Sequence, residues 1–254
     1  MSSKPSITTT KDGSHTLYSH RFKQHYHNPN GAVAESVHNF FETNRLIEAL
    51  SKEKQINILE VGFGTGLNLL LLLDYYQKLN STASIQFHSV EAYPISGDHA
   101  AKFNFEAHID HPELKQKLVS IFDNLSKGDN EFQVHENITA HIFYGLFEDY
   151  NPDVIQADYI FHDAFSPDVN AELWSGETFK KLKSLSSDNV ILTTYSAASK
   201  AKGAMAWAGW KVARTKGALG KREMTVAALS DERLKEYELI NYEHLAKRYE
   251  EEDF

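Results

Sequence analysis

Three glycines at alternate positions, Gly62, Gly64 and Gly66, follow an apolar run at residues 56–61. Glycine at a turn between a strand and a helix lets the backbone pass close to a ligand. Dinucleotide-binding chains usually carry the spacing G-x-G-x-x-G, which suits a pyrophosphate, whereas here the third glycine comes one position earlier. The spacing G-x-G-x-G, with an acidic residue closing the next strand, is typical of S-adenosylmethionine sites. Glu91 closes that strand and is placed to accept the two ribose hydroxyls, although a plain tight turn would also explain the glycines.

A second acidic residue, Asp163, ends another apolar run and precedes Phe165, Ser166 and Pro167. This arrangement is similar to the acid-proline-aromatic loop of amine methyltransferases, in which a planar base is stacked and its amino group is hydrogen bonded. Methyl transfer to nitrogen needs a neutral amine, and an alkylammonium has a pKa of about 10.4, so a carboxylate can accept and orient the proton. The same carboxylate also stabilises the cation. An aspartate that only caps a helix beginning at Ala171 is the alternative interpretation.

Other reactive side chains give weaker patterns. Ser166 and Ser196 lack the G-x-S-x-G elbow of many serine hydrolases. Tyr195 ends a predicted strand and either packs or contacts the substrate. Five histidines near the N-terminus lack i, i+4 spacing and a convergent carboxylate, so we expect no metal site. These histidines are His15, His20, His25, His27 and His38.

Composition excludes several kinds of chemistry. The chain has 254 residues, 41% of them hydrophobic, which is enough for one α/β core, and no cysteine. Disulfides, thiolate catalysis, zinc-thiolate sites and iron–sulfur clusters are therefore excluded. Residues 1–11 lack the apolar stretch of a signal peptide, and residues 69–73 are too few to span a bilayer. We expect a cytoplasmic protein without membrane contact; the sequence does not indicate an oligomeric state.

Charge is distributed unevenly around a net value of −9. Residues 180–222 carry ten Lys or Arg against one acid, whereas residues 231–254 carry nine acids against four bases. The basic stretch 180–222 is predicted to contact the phosphates of an RNA, although a solvated helix face would explain it equally well.

Short apolar runs alternate with helical segments, which predicts a parallel sheet with helices on both faces. The last two strand-like runs leave no room for a crossover helix and must pair antiparallel. Five parallel strands plus a C-terminal antiparallel hairpin form the seven-stranded Rossmann-like plan of class I S-adenosylmethionine-dependent methyltransferases. The predicted strands are 56–61, 85–91, 140–144, 157–163, 189–194, 210–216 and 224–230, and the predicted helices are 36–50, 66–78, 96–107, 112–125, 171–186 and 197–208.

Three parts are expected along the chain. Residues 1–50 form an N-terminal extension that covers the cofactor site. Residues 51–230 form the methyltransferase domain, and residues 231–254 form an acidic helical tail without a catalytic role.

The chain resembles the MnmC methyltransferase-domain family (MnmD-like, stand-alone), the tRNA 5-methylaminomethyl-2-thiouridine methyltransferases. The likeness runs over about residues 16–228 and includes the run from Tyr26 to His38, residues 60–68 and residues 91–94. The likeness also includes three further segments, residues 163–174, 194–198 and 220–224. Of these, 163–174 and 220–224 are the more specific to the family. The resemblance implies methylation of the aminomethyl group on the wobble uridine of tRNA, with S-adenosylmethionine as cofactor and without FAD or a metal.

The resemblance also implies roles for individual residues. Asp163 faces the amine as the catalytic residue. The implied cofactor-binding residues are Tyr26, Glu35, Ser36, Gly62, Phe63, Gly64, Thr65, Gly66, Asn68, Glu91, Gly145 and Asp163. The implied substrate-binding residues are Phe165, Ser166, Pro167, Tyr195, Lys221 and Arg222.

The sequence departs from the family pattern at two places. Leu146 follows Gly145 where relatives often have an aspartate suited to the adenine amino group, so Glu148, Asp149 or the backbone takes that role. Ala92 follows Glu91 where many relatives have lysine. Two other functions stay open, namely a small-molecule or polyamine-related transferase on the same fold and an RNA-associated scaffold with a vestigial cofactor pocket.

Overall fold

A computed structural model describes residues 5–254, and twelve strands lie within them. They are β1 (Ser6–Thr9), β2 (His15–Ser19), β3 (Gln24–His25), β4 (Gln55–Val61), β5 (Ser84–Glu91), β6 (Gly128–His135), β7 (Ile138–Tyr144), β8 (Ala157–His162), β9 (Ser186–Thr194), β10 (Lys211–Thr215), β11 (Met224–Ala228) and β12 (Glu238–Leu239). The first three form a small antiparallel sheet. The other nine form one mixed sheet in the order β12-β10-β11-β9-β8-β4-β5-β7-β6.

Within the described part of the chain, eight α-helices surround the strands. They are α1 (Ala32–Val37), α2 (Leu46–Leu50), α3 (Leu67–Lys78), α4 (Gly97–Ala100), α5 (Leu114–Asn124), α6 (Gly176–Ser184), α7 (Ser199–Trp207) and α8 (Tyr242–Glu250). Short 3-10 turns lie at Phe105–His108, Phe147–Asp149, Ala171–Trp174, Ala218–Gly220 and Glu232–Leu234, and a π-helical turn lies at His38–Glu42. No helix within residues 5–254 combines the length and the apolar character needed to cross a bilayer.

Helices cover both faces of the large sheet because its central strands bury side chains on both sides. In β4, Ile58 packs into the cluster formed with α3 and α5, whereas its neighbour Leu59 packs into the cluster formed with α6 and α7. Successive strand residues point to opposite faces, so an unbroken apolar run serves two layers.

The predicted core arrangement is confirmed. Strands β7, β5, β4, β8 and β9 run parallel, and β10 and β11 form an antiparallel hairpin against β9. The predicted count of seven strands is wrong, because β6 and β12 add an edge on each side. Strand β6 escapes the prediction because its residues are mostly polar and alternate between exposed and half-exposed, and β12 has only two residues.

Three predicted helices are broken where the backbone leaves the helical region. The helix expected at 171–186 consists of the 3-10 turn Ala171–Trp174 and α6, separated by Ser175, whose backbone is extended with ψ 158°. The helix expected at 96–107 ends with α4 at Ala100, and a separate 3-10 turn follows Asn104, whose backbone lies outside the helical region and whose amide holds the N-terminal extension. That amide accepts the His15 N–H at 2.8 Å and donates to the Gly13 carbonyl at 2.8 Å. The helix expected at 36–50 is interrupted at Arg45, whose φ is 64°. Helix α8 lies in the C-terminal tail, which also contributes β12.

Candidate functional site

A cavity of about 870 Å³ lies where β4, β5, β7 and β8 end. Parallel strands present their carboxyl ends at one edge of the sheet, and the strand order changes direction between β4 and β8. Nine of the implied cofactor residues line this cavity, together with one implied substrate residue. They are Tyr26, Gly62, Phe63, Gly64, Thr65, Asn68, Glu91, Gly145, Asp163 and Phe165.

The glycine loop follows β4 and passes close to Asp163, the residue that follows β8. Gly62 has φ 98°, and a Cβ atom built on it would lie 2.8 Å from the carbonyl oxygen of Asp163. Gly64 has φ 56°, and its built Cβ atom would lie 3.3 Å from the Tyr26 ring. Only glycine suits both requirements, since other residues strain at positive φ and fill the space. The loop therefore keeps its backbone open to the cavity.

The third glycine serves packing between helices. Gly66 has φ 72° and lies outside the lining of the cavity. A Cβ atom built there would lie 2.3 Å from a methyl carbon of Leu118 in α5. Helices α3 and α5 therefore approach closely because this position lacks a side chain.

Glu91 is fixed by the loop that it faces. One carboxylate oxygen accepts the Gly64 N–H at 2.7 Å, and the other accepts the Tyr93 N–H at 2.8 Å. Burial raises the pKa of Glu91, and these backbone donors oppose that change. Each oxygen keeps further lone-pair capacity, so the carboxylate can accept hydroxyl groups from a ligand in the cavity.

A buried network connects two carboxylates through one amide. Asn68 Nδ2 donates to Glu60 Oε1 at 2.9 Å and to Asp163 Oδ2 at 3.1 Å, while Ser89 Oγ donates to Glu60 Oε2 at 2.6 Å. Burial raises the pKa of Glu60 to about 7. The pKa of Asp163 is raised well above its usual value, by burial first and then by the charges of Glu60 and Glu35.

The remaining oxygen of the same amide has no partner. Asn68 Oδ1 is buried and accepts no hydrogen bond within residues 5–254. Sequence reasoning missed Glu60, although a carboxylate as the single charged residue of an apolar strand was the available signal. The network holds Asp163 in the wall of the cavity, next to the unpartnered oxygen Oδ1 of Asn68.

Aromatic rings border the mouth of the cavity. Phe165 lies 5.0 Å from Tyr26 and 4.8 Å from Phe22, measured between ring centroids, and Phe22 lies 5.6 Å from Tyr93. Phe22 and Tyr93 line the cavity and were missed from the sequence. The available signal for Phe22 was the alternation of cationic and aromatic residues at positions 20–26.

His27 also lines the cavity and was not assigned to it from the sequence. Its ring nitrogens lie 3.1 Å from Thr16 Oγ1 and 3.2 Å from Thr65 Oγ1. Burial lowers the pKa of His27 to about 4, so the imidazole is neutral near pH 7. Across residues 5–254 no three His, Cys, Asp or Glu side chains gather as a metal ion would need.

Glu35, Ser36 and Lys221 lie outside the cavity lining. The Lys221 ammonium donates to Glu35 Oε1 at 2.8 Å and lies 5.0 Å from the centroid of the Tyr195 ring. Glu35 Oε2 also accepts the Asn28 N–H at 2.7 Å. The two residues implied to serve cofactor and RNA are thus paired with each other.

A second groove, of about 690 Å³, adjoins the loop that follows Asp163. Five implied substrate residues line it, namely Ser166, Pro167, Tyr195, Lys221 and Arg222. The Tyr195 hydroxyl donates to the Ala164 carbonyl at 2.9 Å, and the Ser166 N–H donates to Gln24 Oε1 at 3.2 Å. The groove and the cavity therefore share the loop of residues 163–167 as a common wall.

The far side of the cavity is formed by Gly145, Leu146, Phe147 and Glu148, whereas Asp149 lies outside the lining. Lys181 donates to the carbonyl groups of Phe147 at 2.8 Å and Glu148 at 3.0 Å. Of the two acidic candidates for adenine recognition, Glu148 is the one that reaches the cavity.

Seven of the ten cations in the stretch 180–222 are bonded within the molecule. Five pair with carboxylates and two donate to backbone carbonyl groups. They are Lys180, Lys202, Lys211, Arg214 and Lys221 in ion pairs, and Lys181 and Lys183 on carbonyls. Only three cations of this stretch form neither kind of bond within residues 5–254, and the predicted contact with RNA therefore depends on them.

Comparisons with known proteins find methyltransferases and MnmC proteins. A family model described as an S-adenosyl-L-methionine-dependent methyltransferase matches residues 111–230. The chain is 31% identical over 216 residues to a Cupriavidus metallidurans protein named tRNA 5-methylaminomethyl-2-thiouridine biosynthesis bifunctional protein MnmC, a match covering 84% of this chain and 32% of that protein. A protein of the same name from Leptospira borgpetersenii is 30% identical over 221 residues, covering 85% of this chain and 34% of that protein.

A solved structure agrees over nearly the whole chain. The crystal structure of MNMC2 from Aquifex aeolicus matches with a TM-score of 0.76 and 26% identity, covering 98% of this chain and 76% of that one. The chain spans about a third of the length of the curated relatives that it matches. The sheet, with five parallel strands and a terminal hairpin, is the class I Rossmann-like methyltransferase fold.

Proposed function

Because the chain belongs to the family of MnmC-like methyltransferase domains, we propose that it transfers a methyl group from S-adenosylmethionine to the aminomethyl group of a modified wobble uridine in tRNA. One observation carries the proposal: the glycine loop, Glu91 and Asp163 border a single cavity. The names of the relatives contain 5-methylaminomethyl-2-thiouridine, which is the product under this proposal. The substrate that we assign is the corresponding unmethylated amine, 5-aminomethyl-2-thiouridine.

The residues of the cavity fit the cofactor. Gly62 and Gly64 line the cavity and carry no side chain, so their backbone can lie against a ligand. Glu91 offers carboxylate oxygens for the ribose hydroxyls, and we assign the adenine to the far side of the cavity, which Gly145 and Glu148 line. When bound, S-adenosylmethionine supplies an electrophilic methyl group.

The chain's own residues orient the amine. Asp163 accepts a hydrogen bond from it, and Asn68 holds that carboxylate in place at 3.1 Å. The amine must be neutral to react, so an acceptor that takes or directs its proton favours the reactive form. Holding two reactants in line contributes about 7–11 kcal/mol in favourable cases, so positioning is the main contribution expected of this site.

The substrate nucleoside approaches from the second groove. Ser166, Pro167 and Tyr195 line this groove, and Phe165 lines the adjoining cavity beside Asp163. Phe165 and Tyr195 offer ring surfaces on which a planar base can stack. Arg222 lies in the same groove and supplies a cation for a phosphate.

A small-molecule amine is the second candidate substrate. The observation that favours it is the internal pairing of most cations in residues 180–222, since a polyamine-related substrate needs no RNA surface. Radiolabelled S-adenosylmethionine incubated with the purified protein separates the two. Label in tRNA that contains 5-aminomethyl-2-thiouridine supports the main proposal, and label only in a polyamine such as spermidine supports the second candidate.

Mass spectrometry of wobble nucleosides tests the same proposal in cells. Deleting the protein should leave the aminomethyl nucleoside in place of its methylated product, and restoring the wild-type protein should reverse this. An unchanged nucleoside profile in the deletion strain would reject tRNA as the substrate.

A further inference from the structure

The N-terminal turn at residues 20–23, with Gln24 at the start of β3, crosses the rim shared by the cavity and the groove. Phe22 contacts Phe165 on one side and Tyr93 on the other, with ring centroids 4.8 and 5.6 Å apart. Gln24 Oε1 accepts hydrogen bonds from the N–H and the hydroxyl of Ser166, each at 3.2 Å. The turn is thus anchored to the loop that carries Asp163.

The turn exposes two cations that no carboxylate neutralises. Arg21 and Lys23 are exposed, and neither forms an ion pair within residues 5–254. Residues 13–34 contain no Asp or Glu. The flanking acids are engaged elsewhere, since Asp12 accepts from Ser14 and Glu35 from Lys221. The charge of this turn therefore faces solvent, unlike most of the charge in residues 180–222.

The same surface carries a stacking platform. The Arg21 guanidinium lies over the Tyr93 ring, 3.8 Å from its centroid, and 5.4 Å from the centroid of Phe22. Tyr93 is 40% exposed, so part of the ring and the guanidinium above it face solvent. Unpaired RNA bases stack on aromatic rings and on the planes of arginine guanidinium groups.

We propose that Arg21, Phe22, Lys23 and Tyr93 form a binding surface for the single-stranded loop of the substrate RNA, next to the nucleotide that enters the site. The inference rests on the proposed function and adds the surface that holds the RNA. A base beside the target stacks on the Arg21 and Tyr93 pair, while Arg21 and Lys23 bind backbone phosphates. Arg222, on the other side of the 163–167 loop, continues this cationic border.

The test compares two double variants of the full chain. Arg21→Ala with Lys23→Ala removes the charges of the turn. Lys52→Ala with Lys54→Ala is the matched control, because both lysines are exposed and precede β4 at the opposite edge of the sheet. Binding of an unmodified anticodon stem-loop RNA is measured at several salt concentrations, and binding of S-adenosylmethionine is measured by calorimetry.

The first variant should bind the RNA about tenfold more weakly and lower the salt slope of the logarithm of affinity by about 2. Its affinity for S-adenosylmethionine should match that of the wild type, and the control should bind RNA normally. Tyr93→Leu should weaken RNA binding with an unchanged salt slope, because it removes a stacking surface and no charge.

Three results would overturn the surface assignment. They are unchanged RNA binding in the Arg21 and Lys23 variant, an equal loss in the lysine control, or a loss matched by weaker cofactor binding. In each case methylation of tRNA by the wild type would leave the proposed function standing. If the wild type methylates no tRNA, the proposed function itself fails and this inference fails with it.

Discussion

Lys221 and Glu35 form an ion pair of 2.8 Å between residues that are 186 positions apart in the chain. Glu35 is largely buried, and its second oxygen accepts the Asn28 N–H. The pair ties the hairpin that carries Lys221 to the N-terminal extension. Its position beside Tyr195 places a fixed positive charge near Asp163 and lowers the pKa of that carboxyl group, although less than burial raises it.

Replacing Lys221 should reduce the stability of the fold. Lys221→Met leaves Glu35 buried without its cation, and because the lysine is partly exposed we expect a loss of about 1–2 kcal/mol and about 2–8 °C in melting temperature. Lys200→Met is the control, since Lys200 is exposed and makes no ion pair within residues 5–254. Thermal unfolding measures both. Equal melting temperatures for the two variants would show that the pair contributes nothing measurable.

Glu91→Gln should weaken S-adenosylmethionine binding. The amide keeps one oxygen for the Gly64 or Tyr93 N–H and loses the charge that favours ribose hydroxyl donors. Hydrogen bonds to charged groups contribute about 1.5–3 kcal/mol, which corresponds to a loss of about 10–100-fold in affinity. Calorimetry measures the change, with the exposed Glu113→Gln as control. Wild-type affinity in Glu91→Gln would remove this residue from the cofactor site.

Gly62→Ala should impair both folding and the site. Gly62 and Gly128 both have positive φ, 98° and 87°, but only at Gly62 would a Cβ atom meet another atom, the Asp163 carbonyl oxygen at 2.8 Å. Gly128→Ala therefore reports the backbone strain alone, about 1–2 kcal/mol. Denaturant unfolding should show a larger loss for Gly62→Ala, and calorimetry should show weaker cofactor binding in that variant alone. Equal losses of stability would mean that the loop relaxes around the added methyl group.

Asp163→Asn should separate cofactor binding from turnover. The amide still accepts the Asn68 hydrogen bond but cannot take a proton from the substrate amine. We expect kcat to fall about 10²–10⁴-fold, the usual contribution of a proton acceptor, with the dissociation constant for S-adenosylmethionine within a few-fold of the wild type. Asp188→Asn, at an exposed position, is the control for single-turnover assays. Turnover at the wild-type rate would exclude Asp163 from the reaction.

Glu60→Gln should change how stability depends on pH. The folded-state pKa of Glu60 is raised from its usual 4.5 to about 7, so its contribution to stability is present below pH 4.5 and is lost as the pH rises through 7. The variant lacks this titration. The free energy of unfolding of the variant relative to the wild type should therefore increase between pH 4.5 and 7. A constant difference across this range, or the same trend in the exposed Glu113→Gln control, would contradict the assignment.

The sequence by itself determined the core of the fold and the edge of the sheet at which the cavity lies. Apolar runs separated by helical segments identified the five parallel strands and the terminal hairpin, because strand and helix periods are local properties of the chain. Gly62, Glu91 and Asp163 were brought to one cavity from three distant positions, since parallel strands must end at the same edge.

Only the tertiary structure decided which charged and aromatic groups are free to meet a ligand. The stretch 180–222 is strongly basic in the sequence, yet carboxylates as distant as Glu35 and Glu238 pair with its cations. Arg21 and Lys23 have no role assigned from the sequence, yet both are exposed and neither forms an ion pair among the residues described. The physical reason is that ion pairing, burial and close packing of glycines such as Gly66 depend on neighbours brought together by folding, and no local pattern encodes those neighbours.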